Sequence, residues 1–230
     1  MGGEIKTNDL QEISGKRETE GFRSIIPETS ARIKDFYDFW KKEFNSLSGY
    51  GGEFSSYEDR LRRTPSEDNE NCYYLGKRGE STLVPSEHTE KGRAIIRLLK
   101  EYGVTGIEYK NGEPLFSKCA EATVLIENMT EHREDYRDNR GIMQDGNFTQ
   151  ADKQCAELWN EQKRDGRADW SEEAVSKYRK EHGLEWHERC DTKTMDLVKH
   201  EIHDFFRHSG GVYECKTRDN NEPSGGKYDE

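Results

Sequence analysis

The sequence predicts an α+β protein, in which a C-terminal strand–turn–strand–helix unit packs against a mixed α/β N-terminal region. Within residues 183–211, LEWHE and TMDLV are two short extended runs joined by a polar turn, and KHEIHDFFRH has helical spacing. Upstream, short extended runs alternate with amphipathic helices. The chain has 230 residues, 30% of them hydrophobic. That supports one core of moderate size or two small subdomains that share one.

The first part of the chain is predicted to be a flexible lead-in with one helix, residues 1–46. A helix is expected from Pro27, because four large apolar residues recur there on one helical face. They are Ile33, Tyr37, Trp40 and Phe44. Residues 46–75 are rich in Gly, Ser, Glu, Asp and Asn and are predicted to be a loop.

The middle of the chain has the patterns of a mixed α/β segment. STLVP is a strand candidate, GRAIIRLLKEYG is helical with Gly103 suited to its C-terminal cap, and ATVLIENM is a further strand. Asn111-Gly112 lies between two extended runs, which is a strong hairpin signal. Residues 131–147 are charged and predicted to be irregular.

Two helices are expected before the C-terminal unit. The first follows Thr149 as N-cap and buries Cys155, Leu158 and Trp159. The second follows Ser171, has acidic residues in its first turn and ends near Gly183. The tail, residues 213–230, is predicted to be flexible, which leaves residues 47–212 as the functional domain.

Composition limits the classes of function. No apolar run approaches the roughly 20 residues that a membrane-spanning helix needs, and the N-terminus lacks the apolar stretch of a signal peptide. Five scattered cysteines form no CxxC pair, so free thiols in a reducing compartment are expected. The net charge of -11 means that nucleic-acid contact would have to occur in a local basic cleft. A basic partner or solubility alone would also explain the acidic excess.

The C-terminal unit carries the candidate site residues. His187 is placed late on its first strand, His203 on its helix and His208 at or just beyond the helix end. A strand-borne imidazole can act as a base near neutral pH. Two further imidazoles can hold a cation that stabilises a phosphorane-like transition state. This combination suits phosphodiester hydrolysis.

The same residues carry a resemblance to a known family. Trp186-His187, Leu197-Val198, His203 and the string His208-Ser209-Gly210-Gly211 resemble the WHH branch of the HNH/endonuclease VII superfamily of ββα-metal (His-Me) finger nucleases. Upstream, GKRGESTLVP, GVTGIEYKNGEPLFS and NFTQADKQCAELWN resemble HNH toxin domains found at the C-termini of bacterial polymorphic toxins. The resemblance covers roughly residues 70–212.

This resemblance implies His187 as the general base and His203 and His208 as ligands of one divalent cation, which could be Mg, Mn, Zn or Ni. It also implies an endonuclease acting on DNA, a neutralising immunity protein, and delivery to a target-cell cytoplasm as part of a larger toxin. No membrane partner and no small-molecule cofactor are expected. An RNase toxin and a catalytically silent metal-binding interaction module are the alternatives.

Several positions depart from the family pattern or have a weaker signal. Colicin-type relatives carry a third metal ligand directly before the base, where this chain has Trp186, so the third ligand stays open. Glu188 is a candidate for an oxygen ligand or a supporting group. His200, Arg78 and Glu80 are candidates for substrate contact, with a solvated or salt-bridged surface as the alternative.

Overall fold

The computed structural model describes residues 52–221, and this part of the chain has the predicted α+β fold. The helices are α1 (Tyr57–Arg63), α2 (Glu90–Glu101), α3 (Asn147–Gln162), α4 (Glu172–Glu181), α5 (His200–Phe205) and α6 (Gly211–Asn221). The strands are β1 (Cys72–Tyr74), β2 (Thr82–Pro85), β3 (Ile107–Lys110), β4 (Glu113–Pro114), β5 (Ala122–Leu125), β6 (Tyr136–Arg137), β7 (Met143–Gln144), β8 (Leu184–Glu188) and β9 (Thr194–Lys199). Two short 3-10 helices occupy Phe116–Lys118 and Arg164–Gly166.

An antiparallel sheet in the order β1-β2-β3-β4 forms the first half of this region. The predicted hairpin at Asn111-Gly112 is confirmed: both residues have positive φ, 53° and 77°, as a two-residue hairpin turn requires. Helix α2 covers the sheet, and its N-cap is Thr89, whose side chain accepts a hydrogen bond from the Gly92 amide. Its apolar face buries Ile95 and Leu99.

A second antiparallel sheet, ordered β5-β9-β8, carries the C-terminal unit, and α3 and α4 pack against it. Ser171 is the N-cap of α4, as predicted. Helix α3 begins earlier than predicted, after Gly146, so Thr149 lies inside the helix rather than at its cap. Buried Asn147 accounts for this start, because its side-chain oxygen accepts the Thr130 amide and its amide donates to the Thr130 carbonyl.

Strand β9 lies between two hydrophobic cores. The first core contains Met195 and Leu197 of β9, Trp186 of β8, and Trp159 of α3. The second contains Val198 of β9 together with apolar residues of α2, α5 and the first sheet. Since successive side chains of a strand point to opposite faces, the residue after Trp186 faces the second core. That residue is His187.

Three predicted irregular segments contain regular structure. Residues 46–75 include α1 and β1, and residues 131–147 include the short β6–β7 hairpin. Residues 213–221 of the predicted flexible tail belong to α6, which starts at Gly211, and α5 stops at Phe205. Burial of Glu214 and Cys215 explains the extra helix. Most of its residues are polar, so the sequence gives little indication that one face of the helix is buried.

The predicted lead-in of residues 1–46, its helix from Pro27 and the last nine residues lie outside the described part of the chain. Within residues 52–221, none of the helices combines the length and the apolar character needed to cross a bilayer. All five cysteines fall in the described part and are buried free thiols, which confirms the prediction of unpaired cysteines.

Candidate metal centre

Three histidines converge at one point of the fold. His187 comes from β8, His203 from α5, and His208 from the loop that follows α5. One ring nitrogen from each lies within 4.8 Å of those of the other two. The ring centroids are 5.4 Å apart for His187 and His203, 4.6 Å for His187 and His208, and 5.0 Å for His203 and His208. Three imidazoles at this spacing can share one cation.

Two of these rings are held by contacts through Nδ1. The Nδ1 of His208 lies 2.7 Å from the carbonyl oxygen of Phe206, which can only accept a hydrogen bond. In the neutral ring Nδ1 must therefore carry the proton, and Nε2 is left with its lone pair free for a metal. The Nδ1 of His203 lies 3.6 Å from a carboxylate oxygen of Glu185. A carboxylate in that place typically orients a metal-binding histidine.

His187 differs from the other two. Its side chain is fully buried, and neither ring nitrogen has a hydrogen-bond partner among residues 52–221. The Phe116 ring packs against it edge-on, with centroids 4.9 Å apart, and also contacts His203 and His208 at 5.8 Å. A buried polar group without a partner is costly, and a bound cation would satisfy it. The donor set therefore fits a metal ion.

Burial favours the neutral form of two of these rings, which is the form that binds a metal ion. Burial lowers the pKa of His187 well below its usual range, and the neighbouring His208 and His203 lower it further. Burial lowers the pKa of His208 to about 3, again with a contribution from His203. Both rings are therefore neutral near pH 7, and a metal ion need not displace a proton from them.

The loop carrying His208 is pressed against β8. A Cβ atom at Gly210 would lie 2.6 Å from the carbonyl oxygen of Glu188, and one at Gly211 would lie 2.6 Å from that of Arg189. Only glycine fits at such close backbone approaches. The Gly-Gly pair of the sequence motif thus sets the distance between His208 and the strand that carries His187.

A second set of contacts fixes β8 from the opposite side. The indole Nε1 of Trp186 donates to Asp152 of α3 at 2.8 Å, and Arg179 of α4 lies 3.0 Å from the same carboxylate. Across the hairpin, His187 is paired with Asp196, whose carboxylate binds Arg189 at 2.7 Å. These contacts hold the backbone on both sides of His187.

The three histidines line a cavity of about 370 Å³. Its lining also includes four cationic side chains and two acidic ones. The cations are Arg63, Arg133, Arg207 and Lys216, and the acids are Glu188 and Asp204. None of these cations is among the site residues predicted from the sequence. Arg207 was detectable, since it directly precedes His208, and Lys216 lies shortly after the motif, but Arg63 and Arg133 lie far from it in the chain.

Glu188 is buried beside the histidines and is not one of the grouped metal-binding side chains. One of its carboxylate oxygens lies 3.3 Å from Nε of Arg133, and the other accepts a hydrogen bond from Asn147 at 3.4 Å. Burial raises the pKa of Glu188, and the charge of Arg133 opposes that rise. The two roles predicted for Glu188, oxygen ligand and supporting group, stay predictions.

The three predicted substrate contacts do not line the cavity. His200 is exposed, and its Nδ1 lies 2.6 Å from Glu185. Arg78 donates hydrogen bonds to the carbonyl groups of Leu61 and Thr64 at the end of α1, and the Glu80 carboxylate accepts from the Asn111 amide. All three make contacts that stabilise local structure.

The fold and the site together define a class: an α+β protein with a candidate three-histidine metal centre in a cavity lined by arginine and lysine. Residues 106–210 match the family described as the DNase/tRNase domain of colicin-like bacteriocin. The matched segment contains all three histidines, and it supports a nuclease toxin domain. Comparison with curated proteins and with solved structures gives no match.

Proposed function

We propose that this chain is a metal-dependent endonuclease that hydrolyses DNA phosphodiester bonds and acts as an antibacterial toxin. In this proposal residues 183–211 are a ββα-metal finger of the HNH/endonuclease VII superfamily. The observation that supports it best is the convergence of His187, His203 and His208 in a cationic cavity, within a segment that matches a nuclease toxin family.

The three histidines are proposed as the ligands of one divalent cation. Nitrogen donors favour Zn, Ni, Co or Mn over Mg, which prefers oxygen ligands and retains its waters. A cation bound there would supply Lewis acidity and positive charge beside the scissile phosphate. Three protein ligands would leave further coordination positions for water and substrate, as a catalytic site requires.

His187 takes a different part in this proposal from the general base that the sequence analysis predicts. Its ring nitrogen belongs to the same group as those of His203 and His208. We therefore assign His187 to the third ligand, which the sequence left open. Zinc titration of His187→Ala separates the two roles, because a lost ligand weakens zinc binding and a lost base does not.

With His187 as a ligand, Glu188 becomes the proposed proton acceptor. It lines the same cavity, and burial raises the pKa of its carboxyl group, which makes the carboxylate a stronger base. Asn147 and Arg133 hold its two oxygens. Glu188 would take the proton of the attacking water, and Arg133 would face the phosphate and stabilise its added negative charge. The products would carry 5′-phosphate and 3′-hydroxyl ends.

A plasmid assay tests the function. The purified full chain is incubated with supercoiled plasmid and Zn, Ni, Mn or Mg, with and without EDTA, and in parallel with tRNA. The proposal is supported if nicked or linear plasmid forms with a metal and does not form in EDTA. Plasmid that stays intact with every metal rejects the DNA endonuclease, and cleavage of tRNA alone establishes the RNase, which the family description also covers. If plasmid and tRNA both stay intact, the remaining function is that of a catalytically silent metal-binding module.

Variants test the roles within the site. Glu188→Gln keeps the shape of the side chain, and we expect it to bind zinc normally while cleaving about 10²- to 10⁴-fold more slowly. His203→Ala should lose both zinc binding and cleavage. His88→Ala, at an exposed histidine outside the cluster, serves as the matched control.

The toxin role is a separate part of the proposal. Expression of the chain inside bacteria should stop their growth, and His203→Ala should relieve the toxicity. A cognate immunity protein is proposed as the neutralising partner, and delivery as part of a larger toxin as the route into the target cell. Normal growth of bacteria that express the wild-type chain at a high level would argue against this role.

A further inference from the structure

Within the part of the chain that the structure describes, three cationic side chains at the cavity have no protein partner. Arg63, Arg207 and Lys216 line the cavity and are exposed. Within residues 52–221, their side chains make no hydrogen bond and no ion pair. Arg133 differs, because Glu188 and Glu185 lie 3.3 and 3.9 Å from its guanidinium nitrogens. Unpaired cations around a cavity attract an anionic ligand.

Two of these cations come from elements outside the segment that matches the nuclease family. Arg63 is the last residue of α1, and Lys216 lies in α6, whereas the match spans residues 106–210. On α6, the buried side chains of Glu214 and Cys215 face the protein, and Val212, Tyr213 and Lys216 line the cavity. One face of α6 thus packs against the protein, and another lines the cavity.

A buried carboxylate connects α6 to the segment that leads into α1. Glu214 accepts hydrogen bonds from the Phe54 and Ser55 amides, each at 3.0 Å, and from the Ser55 hydroxyl. Arg60 of α1 donates to the Ser55 carbonyl at 2.6 Å and lies 4.0 Å from Glu214. Buried contacts of this kind keep both helices at the cavity, so Arg63 and Lys216 are held near it before a ligand binds.

We propose that Arg63, Arg207 and Lys216 form a phosphate-backbone subsite beside the metal centre, which binds the phosphates that flank the scissile one. The inference rests on the proposed nuclease function and names the residues that bind its substrate. A chain with a net charge of -11 needs such a local group of cations to bind DNA at all. Since phosphate contacts carry no base identity, this subsite sets affinity and register rather than sequence preference.

The test measures DNA binding by the full chain in EDTA, where cleavage is blocked. The probe is a fluorescent 20-base-pair duplex, titrated at several salt concentrations. Arg63→Ala and Lys216→Ala should each lower the slope of log K against log salt by about 1, and the double variant by about 2. In the cleavage assay, the double variant should raise KM while kcat stays within about twofold of wild type, because flanking contacts bind substrate and transition state alike.

Matched controls lie on exposed helix faces outside the cavity lining. Arg62→Ala removes the neighbour of Arg63, and Lys177→Ala removes an exposed lysine of α4. Both should keep the wild-type salt slope, and urea unfolding should show that all variants are folded.

The outcomes distinguish this inference from the proposed function. If wild type cleaves plasmid and the double variant matches the controls in salt slope and KM, the subsite is refuted and the nuclease stands. If no metal supports cleavage by wild type, the proposed function fails, and the salt slope still reports whether these cations bind phosphates. Equal slopes for the double variant and wild type on duplex DNA, with a lowered slope on single-stranded RNA, would reject DNA as the ligand.

Discussion

Acidification should destabilise the metal-free protein through His187 and His208, because the folded state keeps both rings neutral. Burial lowers the pKa of His187 well below its usual range and that of His208 to about 3. In the unfolded chain each histidine takes up a proton near pH 6.5. Below that pH the unfolded state binds more protons than the folded state, so the free energy of unfolding falls as the pH falls.

The size of the effect follows from the unfolded state. Between about pH 7.5 and about pH 5.5, one such histidine removes about 1.4 kcal/mol from the free energy of unfolding, and two remove about 2.7 kcal/mol. Glu113 acts in the opposite direction. Burial raises its pKa to about 7, so the folded state gains protons over the same window and is favoured at acid pH. A variant at one histidine is therefore needed to separate the contribution of that ring from those of the other titrating groups.

Urea unfolding in EDTA at the two pH values is the assay, with wild type and His208→Gln compared. The loss of free energy of unfolding on acidification should be about 1.4 kcal/mol smaller in His208→Gln than in wild type. His88→Gln, which removes an exposed histidine, should keep the wild-type dependence. An unchanged pH dependence in His208→Gln would refute the argument that the folded site holds His208 neutral.

Three further changes should alter the site in measurable ways. Glu185→Gln removes the charge that orients His203 and should weaken zinc binding about 10- to 100-fold in a competition titration; unchanged affinity would mean that the carboxylate has no orienting role. Gly210→Ala forces a Cβ against the Glu188 carbonyl and should lower the free energy of unfolding by about 1–3 kcal/mol, measured with urea. Zinc at a hundredfold excess over its Kd should raise the free energy of unfolding of wild type by about 2.7 kcal/mol. The same zinc concentration should leave His203→Ala unchanged, and a shift of equal size there would place the zinc elsewhere.

Local patterns predicted the elements that hold the motif. The alternation of LEWHE and the helical spacing of KHEIHDFFRH correspond to β8 and α5, and Asn111-Gly112 forms the expected turn. Those features depend on residues close together in the chain. Helix α6 was missed, because the burial that stabilises it depends on Glu214 contacting residues about 160 positions earlier.

The roles of the candidate residues were harder to predict than their positions. The order of the histidines indicated a metal site, but only the fold shows that ring nitrogens of His187, His203 and His208 lie within 4.8 Å of one another. Arg78 carries the charge that a phosphate contact needs, but its guanidinium instead donates to the Leu61 and Thr64 carbonyls at the end of α1. A one-dimensional pattern does not say which partners a long cationic side chain finds, since these come from distant segments.

The five buried thiols have a consequence for how this protein unfolds and refolds. Burial raises the pKa of each, to about 12 for Cys119 and to about 11 for Cys72, so in the folded chain they resist oxidation and exchange. Since no disulfide links any of the five, the fold is held by non-covalent contacts alone. Unfolding of the chain therefore requires no reductant, and refolding does not have to re-form any covalent cross-link between these cysteines.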